Sequence, residues 1–213
     1  MNKIGHPTRG ERTRAHIIDC AAALFWQRSF HGVSVDQVAD TAEVNKATVY
    51  RYFADKRDLA SSVIRHNGAI TLETVFIASF SEFEKPQDRL AAIYRINYCT
   101  HRQMHDASGD VFGCPLVGLT LELGQEMPEV REEAARIFEE VERYLTIIAK
   151  EAANQSGSKV DAQAVGRTLV QLLHGANASS RLTSDPALIL EAGHASLALI
   201  GYPDTAIMPE AVC

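Results

Sequence analysis

The spacing of the apolar residues restricts the fold of this chain more than any other feature, because it is helical nearly throughout. Ile17, Ile18, Ala21, Leu24 and Phe25 recur three and four positions apart, which places them on one face of an α-helix. No segment has the strict apolar–polar alternation that is typical of a half-buried β-strand. The sequence therefore predicts an all-α protein.

Four helices are predicted in the first 66 residues. The first is predicted to end near Phe30-His31-Gly32, with Gly32 as its stop, since glycine commonly ends helices. Ser34 and Gln37 have the spacing of a capping box at the start of the second helix. Asn45 and Asp55 are predicted N-caps of the third and fourth helices. Because the second and third helices are too short to fold alone, we expect one compact unit ending near residue 66.

The rest of the chain continues with helical patterns that are interrupted by Pro, Gly, Ser and Asn. These patterns lie at roughly 70–82, 86–105, 115–126, 128–154, 160–182 and 186–200. We expect two domains, 1–66 and 67–213. The fourth helix is predicted to run directly into the second domain, so that the two move together.

Charge is distributed unevenly along the chain. Residues 1–66 contain ten Lys and Arg against seven Asp and Glu, a net charge of +3. The remaining 147 residues contain 11 against 20, a net charge of −9. This distribution suits a protein that contacts phosphate with its N-terminal part only.

Other sequence features exclude several classes of protein. No apolar run is long enough to span a bilayer and no signal sequence is recognised, so we expect a cytoplasmic protein without membrane contact. The four cysteines have neither metal-ligand spacing nor the density of a disulfide framework, and we expect reduced thiols. No catalytic motif, cofactor motif or phosphate-binding loop occurs, which argues against an enzyme and predicts no cofactor.

One motif indicates a function. Lys46-Ala-Thr-Val-Tyr-Arg-Tyr-Phe53 is followed by Lys56 and Leu59, and the combination of three aromatic residues with a lysine at the start of the next helix is specific. The whole stretch from Val33 to Leu59 resembles the DNA-binding domain of the TetR family of bacterial repressors. The resemblance implies an N-terminal three-helix helix-turn-helix domain and a C-terminal helical domain that binds a ligand and dimerises.

The resemblance also implies roles for individual residues. A short second helix of a helix-turn-helix enters the major groove, where side chains near its N-terminus reach base edges. The expected base contacts are Lys46, Ala47, Thr48 and Arg51, and the expected phosphate contacts are Ser34, Tyr50, Tyr52 and Lys56. Val49 and Phe53 are expected in the core. Arg9, Arg12 and Arg14 form either a solvated arm or a further DNA contact.

The chain departs from the family pattern in the turn between the two short helices. Glu43 stands where the family usually has glycine. A non-glycine residue at positive φ costs roughly 1 kcal/mol, so we expect a slightly altered turn and an unchanged fold.

A segment of the second domain, Phe112-Gly-Cys-Pro-Leu-Val-Gly-Leu119, resembles a TetR subgroup that includes regulators of electrophile and reactive-carbonyl detoxification. In some of its members the cysteine is the sensor. Cys114 directly precedes Pro115 at a predicted helix start, where backbone amides favour a thiolate. In this chain Pro115 follows the cysteine, at a position where leucine is common in the subgroup. The alternative is that Cys114 is a small packing residue.

Two further patches are candidate effector contacts. Tyr98 and Arg102 lie with Tyr94 on one predicted helix, and His174 and Asn177 lie with Gln171 and Arg181 on another. Alternatively, the second patch belongs to a dimer interface, which the family builds from its last two long helices. Cys99, His101 and His105 have spacing compatible with a shared metal, but a solvated helix face is the simpler interpretation and we expect no metal.

These observations favour one function over two rivals. We expect a homodimeric repressor that binds a palindromic DNA operator and responds to an unknown small molecule or to an electrophile. The rivals are an enzyme, against which the missing catalytic motifs argue, and a helical interaction module without DNA binding, against which Lys46, Tyr50 and Lys56 argue.

Overall fold

The computed structural model describes residues 8–207, and within that range it contains helices and no strand. The all-α prediction is confirmed. The helices are α1 (Arg9–Arg28), α2 (Val35–Thr41), α3 (Lys46–Tyr52), α4 (Lys56–Thr71), a π-helical segment (Leu72–Ile77), α5 (Ala78–Glu82), α6 (Pro86–Ser108), α7 (Pro115–Leu123), α8 (Pro128–Ser156), α9 (Ala162–Thr183) and α10 (Ala187–Leu199). None of the described helices is both long enough and apolar enough to cross a bilayer.

The predicted helix starts in the N-terminal region are confirmed. Ser34 Oγ accepts the N–H of Gln37 at 3.2 Å, and the Gln37 side chain accepts the N–H of Ser34 at 2.8 Å. Asn45 Oδ1 accepts the N–H of Thr48 at 2.7 Å, and Asp55 Oδ1 accepts the N–H of Asp58 at 2.9 Å. These side chains satisfy amides that lack intrahelical partners.

The predicted end of α1 is wrong by a few residues. The helix ends at Arg28, and Ser29, with φ of 66°, takes the left-handed conformation expected of glycine. Gly32 is needed for another reason, because a Cβ at this position would lie 2.2 Å from the carbonyl oxygen of Arg28. Glycine here permits a close approach of backbone to backbone rather than a positive φ.

The helices form two compact units. One contains the chain up to Gly68 together with Pro115–Ala134, and the other contains Ala69–Cys114 and the chain from Ala135 onward. The domains expected from the sequence, 1–66 and 67–213, stay a prediction. The compact units differ from them because α7 and the first residues of α8 pack with the N-terminal helices.

In the first unit, α1 contacts α2, α3 and α7. Its interior is formed by the apolar residues that the helical spacing placed on common faces. Ile17, Val38, Val49, Phe53 and Leu59 are all buried. The expectation that Val49 and Phe53 belong to the core is confirmed.

The second unit has its own core. α10 packs on α6 and α9, and the core includes Phe76, Leu90, Leu145, Leu169 and Leu197. Tyr94 is also buried there, and its hydroxyl lies 2.7 Å from Ser196 Oγ. Burial raises the pKa of Tyr94 to about 12. Tyr94 is therefore a core residue and not a member of the candidate effector patch.

Candidate DNA-binding surface and effector site

The turn between α2 and α3 sets the direction of the third helix. Glu43 has φ of 53°, as expected where the TetR family usually has glycine. Its N–H donates to Asp40 O at 3.1 Å, and the next N–H, of Val44, donates to Ala39 O at 3.0 Å. The turn keeps the hydrogen bonds of a helix end, so glutamate is accommodated at the cost of backbone strain.

α3 presents a polar face to solvent. Lys46, Ala47, Tyr50 and Arg51 are exposed, and Tyr50 retains 47% of its accessible surface. These positions fall on one side of a helix, opposite the buried Val49. The exposed Tyr50 lies between two cationic side chains of the same face, those of Lys46 and Arg51.

Several of these side chains are held by neighbours. Lys46 Nζ lies 2.9 Å from Asp36 Oδ2 of α2, and this carboxylate raises the pKa of Lys46. Arg51 donates to the Tyr52 hydroxyl at 3.1 Å, with its guanidinium 4.9 Å from the centre of the Tyr52 ring. Thr48 Oγ1 donates to Asn45 Oδ1 at 2.9 Å. The face is therefore partly ordered before any partner binds.

A polar cleft of about 620 Å³ lies beside this face. It is lined by residues of α1, of the turn and of α3: Arg9, Gly10, Thr13, Glu43, Val44, Asn45, Thr48, Arg51 and Tyr52. Arg9, for which a solvated arm and a further DNA contact were both open, is the first residue of α1, and Thr13 was not predicted at this surface. The sequence does contain a signal that α1 begins here, namely the capping box of Thr8 and Glu11, which fixes the start of the helix.

Arg14 is not part of an arm. Its guanidinium donates to Ser62 Oγ of α4 at 3.1 Å and lies 5.0 Å from the centre of the Phe53 ring. The residue joins α1 to α4 and covers the ring of a core residue. Its role as a solvated arm residue is therefore excluded.

Lys56 occupies an inward position at the start of α4. Its ammonium donates to the carbonyl oxygen of Phe30 at 2.5 Å and lies 4.0 Å from the centre of the Phe30 ring. Burial lowers the pKa of Lys56, and the nearby Glu122 carboxylate opposes that shift. The side chain is only half-buried here, and its ammonium keeps further N–H donors for a phosphate.

The effector candidates of the second unit fall into two groups. Arg102 donates to the Tyr98 hydroxyl at 3.2 Å and to both carboxylate oxygens of Asp106 at 3.0 Å, which raises the pKa of Arg102. Arg102 and Asp106 are exposed, whereas Tyr98 is partly buried and packs against the core of the second unit. On α9, the ring of His174 lies 4.7 Å from the ring of Phe138, and burial lowers the pKa of His174.

Asn177 is the buried member of the second group. Its Nδ2 donates to Leu173 O at 2.8 Å, while its Oδ1 has no hydrogen-bond partner within residues 8–207. A Cβ on Gly113 would lie 3.3 Å from the carbonyl oxygen of Asn177 and 3.3 Å from Arg181 Cδ. The Gly113–Cys114 segment thus lies against α9 at the position of these candidates.

The cysteines differ in state. Cys114 is a half-buried cysteine with a reduced thiol immediately before Pro115, the first residue of α7. Cys20 also has a reduced thiol, and burial is the main cause that raises its pKa. Cys99 is disulfide-bonded, so the expectation of reduced thiols is wrong for this residue, and Cys213 lies outside the described residues. Within residues 8–207, no group of three or more His, Cys, Asp or Glu side chains is placed so that it could hold one metal ion.

Comparison with known proteins identifies the family. Residues 17–63 match the bacterial regulatory proteins of the tetR family, and residues 86–195 match the tetracyclin repressor-like C-terminal domain. This chain belongs to the TetR family. The second match alone covers more than half of the chain, so the family assignment includes the C-terminal helices as well as the helix-turn-helix.

Individual relatives agree with this assignment. The transcriptional repressor NemR of Escherichia coli is 29% identical over 131 residues, which cover 58% of this chain and 62% of the relative. The chain spans about two thirds or less of the length of the curated relatives it matches. The crystal structure of reduced E. coli NemR has a TM-score of 0.77 at 21% identity, covering 91% of this chain and all of that one. FadR of Bacillus subtilis, crystallised with stearoyl-CoA, has a TM-score of 0.68 at 18% identity, covering 90% and 99%.

Proposed function

We propose that this protein is a transcriptional repressor that binds a palindromic DNA operator as a homodimer. The observation that carries the proposal is the polar face of α3, where Lys46, Ala47, Tyr50 and Arg51 are exposed on a helix held by a capped α2 and a tight turn. A helix of this length and composition fits the major groove. The family assignment and the repressor name of the E. coli relative support the same function.

The proposed contacts divide by position. Lys46, Ala47, Thr48 and Arg51 contact base edges, because they lie in or beside the exposed face of α3. Ser34, Tyr50 and Tyr52 contact phosphates from the start of α2 and from α3. Lys56 joins them from the start of α4.

A DNA-binding experiment with the upstream DNA of the protein's own gene tests this proposal. Mobility shift and fluorescence anisotropy measure the binding. Lys46→Ala is expected to change which bases are preferred in a randomised-site selection. Lys159→Ala is the matched control, because it removes one exposed positive charge from the loop before α9.

Lys56→Ala is expected to make the DNA-binding constant depend less steeply on salt concentration, by about one unit of slope. Failure of the wild-type protein to distinguish specific from random DNA would contradict the proposal.

We further propose that a small molecule or an electrophile acting on the second domain releases the operator. The candidate contacts are Tyr98, Arg102, Cys114, His174 and Asn177. The stearoyl-CoA complex of FadR supports an organic ligand, and the similarity to NemR, which was crystallised in a form described as reduced, supports a thiol. In this chain the reduced, half-buried Cys114 follows Gly113, which lies against Asn177 and Arg181, and this position favours the electrophile.

Mass-spectrometric labelling with a mild electrophile tests the role of Cys114. We expect Cys114 to react before Cys20, since burial raises the pKa of the Cys20 thiol and only the thiolate reacts. Modification is expected to lower operator affinity, and Cys114→Ser is expected to bind the operator without responding. Cys20→Ser is the matched control and keeps the response. A Cys114→Ser protein that still responds would leave a non-covalent ligand as the effector.

A further inference from the structure

Glu122, near the end of α7, holds the chain that joins α1 to α2. One carboxylate oxygen accepts the N–H of Phe30 and the other accepts the N–H of His31, each at 2.7 Å. These amides lie just beyond the end of α1 and are about ninety positions from Glu122 in sequence. One side chain therefore supplies both hydrogen bonds to two consecutive amides of a turn that has few of its own.

Lys56 holds the same peptide from the other side. Its ammonium donates to Phe30 O, so the N–H of Phe30 is bound by an anion and its carbonyl by a cation. The two charges interact, since the Glu122 carboxylate raises the pKa of Lys56 against the effect of burial. Next to this contact, the guanidinium of Arg57 donates to the carbonyl oxygen of Glu126, just after α7. We call the hydrogen bonds of Glu122 with Phe30 and His31, together with the hydrogen bond of Lys56 with Phe30, the Glu122 clamp.

The turn held by the clamp determines where α2 begins. Ser29 has a positive φ and Gly32 touches the Arg28 carbonyl, so this segment of backbone has little freedom to adjust. Ser34, which caps α2, follows His31 after two residues. A displacement of Phe30 and His31 therefore changes the position of α2 and of the α3 that packs on it.

We propose that Glu122 is a positioning residue for DNA binding and that α7 acts on α2 and α3 through the Glu122 clamp. The inference rests on the proposed function and deepens it, because α7 begins at Pro115, directly after Cys114. A change at the start of α7 that moves the other end of this helix withdraws the Glu122 carboxylate from the amides of Phe30 and His31. Phe30 is also the residue whose carbonyl Lys56 binds. Hydrogen bonds to a charged group are strong enough for their loss to alter a binding equilibrium.

Glu122→Gln tests the proposal with little change of shape. The amide offers one acceptor oxygen in place of two, so one backbone N–H loses its partner and the charge opposite Lys56 disappears. Glu126→Gln is the matched control: it removes the same charge four residues later, from an exposed side chain, and leaves the carbonyl contact with Arg57 in place. Glu122→Asp keeps the charge but withdraws the oxygens by one methylene.

Three measurements follow the effect. Hydrogen exchange at the amides of Phe30 and His31 is expected to be about tenfold faster in Glu122→Gln and Glu122→Asp, and unchanged in Glu126→Gln. The ratio of operator affinity to random-DNA affinity is expected to fall about tenfold in the two Glu122 variants only. Thermal unfolding by circular dichroism shows whether the variants are folded. The fluorescence of Trp26, the single tryptophan of the chain, reports on the end of α1.

The outcomes separate the inference from the function on which it rests. A wild-type protein without specific DNA binding overturns the proposed function, while hydrogen exchange still tests the clamp. Unchanged exchange at Phe30 and His31 in both Glu122 variants overturns the clamp. Faster exchange with an affinity ratio equal to that of Glu126→Gln leaves the clamp in place but overturns its role in positioning the DNA-binding helices.

Discussion

Individual residues of this chain carry conformations and contacts that their types do not favour. Glu43 is the clearest example, with φ of 53° in the turn between α2 and α3. The left-handed conformation places Cβ near a carbonyl oxygen and costs about 1–2 kcal/mol for a residue other than glycine. Glycine at this position would avoid the strain but would lose more backbone entropy on folding than glutamate does. The net difference in stability between the two residues is therefore smaller than the strain alone.

Glu43→Gly is therefore expected to increase the free energy of unfolding by about 0.5–1 kcal/mol. Urea denaturation followed by circular dichroism, at one protein concentration, measures the difference. Asp40→Gly is the matched control, because it places glycine within the helical part of α2 and is expected to lower stability by about 1 kcal/mol. Equal destabilisation by both substitutions would show that the turn stores no strain.

At this scale the sequence predicted what depends on near neighbours and missed what depends on distant ones. The caps at Ser34, Asn45 and Asp55 involve residues three positions apart, and all three predictions are confirmed. The contacts of Glu122 with Phe30 and of Arg14 with Ser62 join positions far apart in the sequence. Charge and spacing contain no information about such pairs, so they required the structure.

The helices are better predicted than the way they end and pack. The breaks expected near Pro86, Pro128 and Pro186 coincide with the starts of α6, α8 and α10, since proline lacks an N–H and is accommodated where a helix begins but not in its interior. The π-helical segment Leu72–Ile77 was not predicted, because its residues fit an ordinary helical pattern. The prediction that the fourth helix continues without a break is confirmed, as helical residues follow one another from Lys56 to Glu82.

The crossing of α8 and α9 depends on a single glycine. A Cβ on Gly166 would lie 2.2 Å from Thr146 Oγ1, 2.9 Å from Thr146 Cα and 3.0 Å from Thr146 N. Since two of these atoms belong to the backbone, no rotamer change removes the overlap. Gly166→Ala is expected to destabilise the protein by about 1–3 kcal/mol, although alanine favours a helix over glycine by about 1 kcal/mol.

Thermal or urea unfolding measures this effect, and Thr146→Ala provides the matched partner. The double variant is expected to recover part of the loss, because the hydroxyl contact disappears while the backbone contacts remain. Strictly additive losses would contradict the close crossing. A Gly166→Ala protein more stable than the wild type would show that helix propensity outweighs packing at this position.

The whole molecule combines a basic end with an acidic remainder. The net charge of +3 over residues 1–66 against −9 over the other 147 residues favours phosphate at one end only. The dimer that we propose would add specificity, because one short helix reads only a few bases. An exposed strip of small and apolar residues on α9 suits that role: Ala164, Gly175, Ala178 and Leu182 are exposed, and Leu182 retains 86% of its surface.

Ala178→Glu is therefore expected to shift the protein from dimer to monomer, because a charge in the middle of an apolar helix–helix contact has no partner. Ala107→Glu, at an exposed position near the end of α6, is the matched control and is expected to leave the dimer intact. Sedimentation equilibrium measures the oligomeric state. A monomeric wild-type protein, or dimers in both variants, would contradict a dimer interface on α9.

The same pair of variants tests how the protein reads DNA. A two-fold dimer places two α3 helices about one DNA turn apart, roughly 34–36 Å, so the operator is expected to be palindromic with half-sites separated by about 10 base pairs. Wild type and Ala107→Glu should bind such a site far more tightly than a single half-site, because the second contact adds to the first without a further loss of freedom. Ala178→Glu should bind both DNAs weakly and about equally. Anisotropy titrations with full sites, half-sites and tandem repeats separate these outcomes, and preference of the wild type for tandem half-sites would contradict two-fold binding.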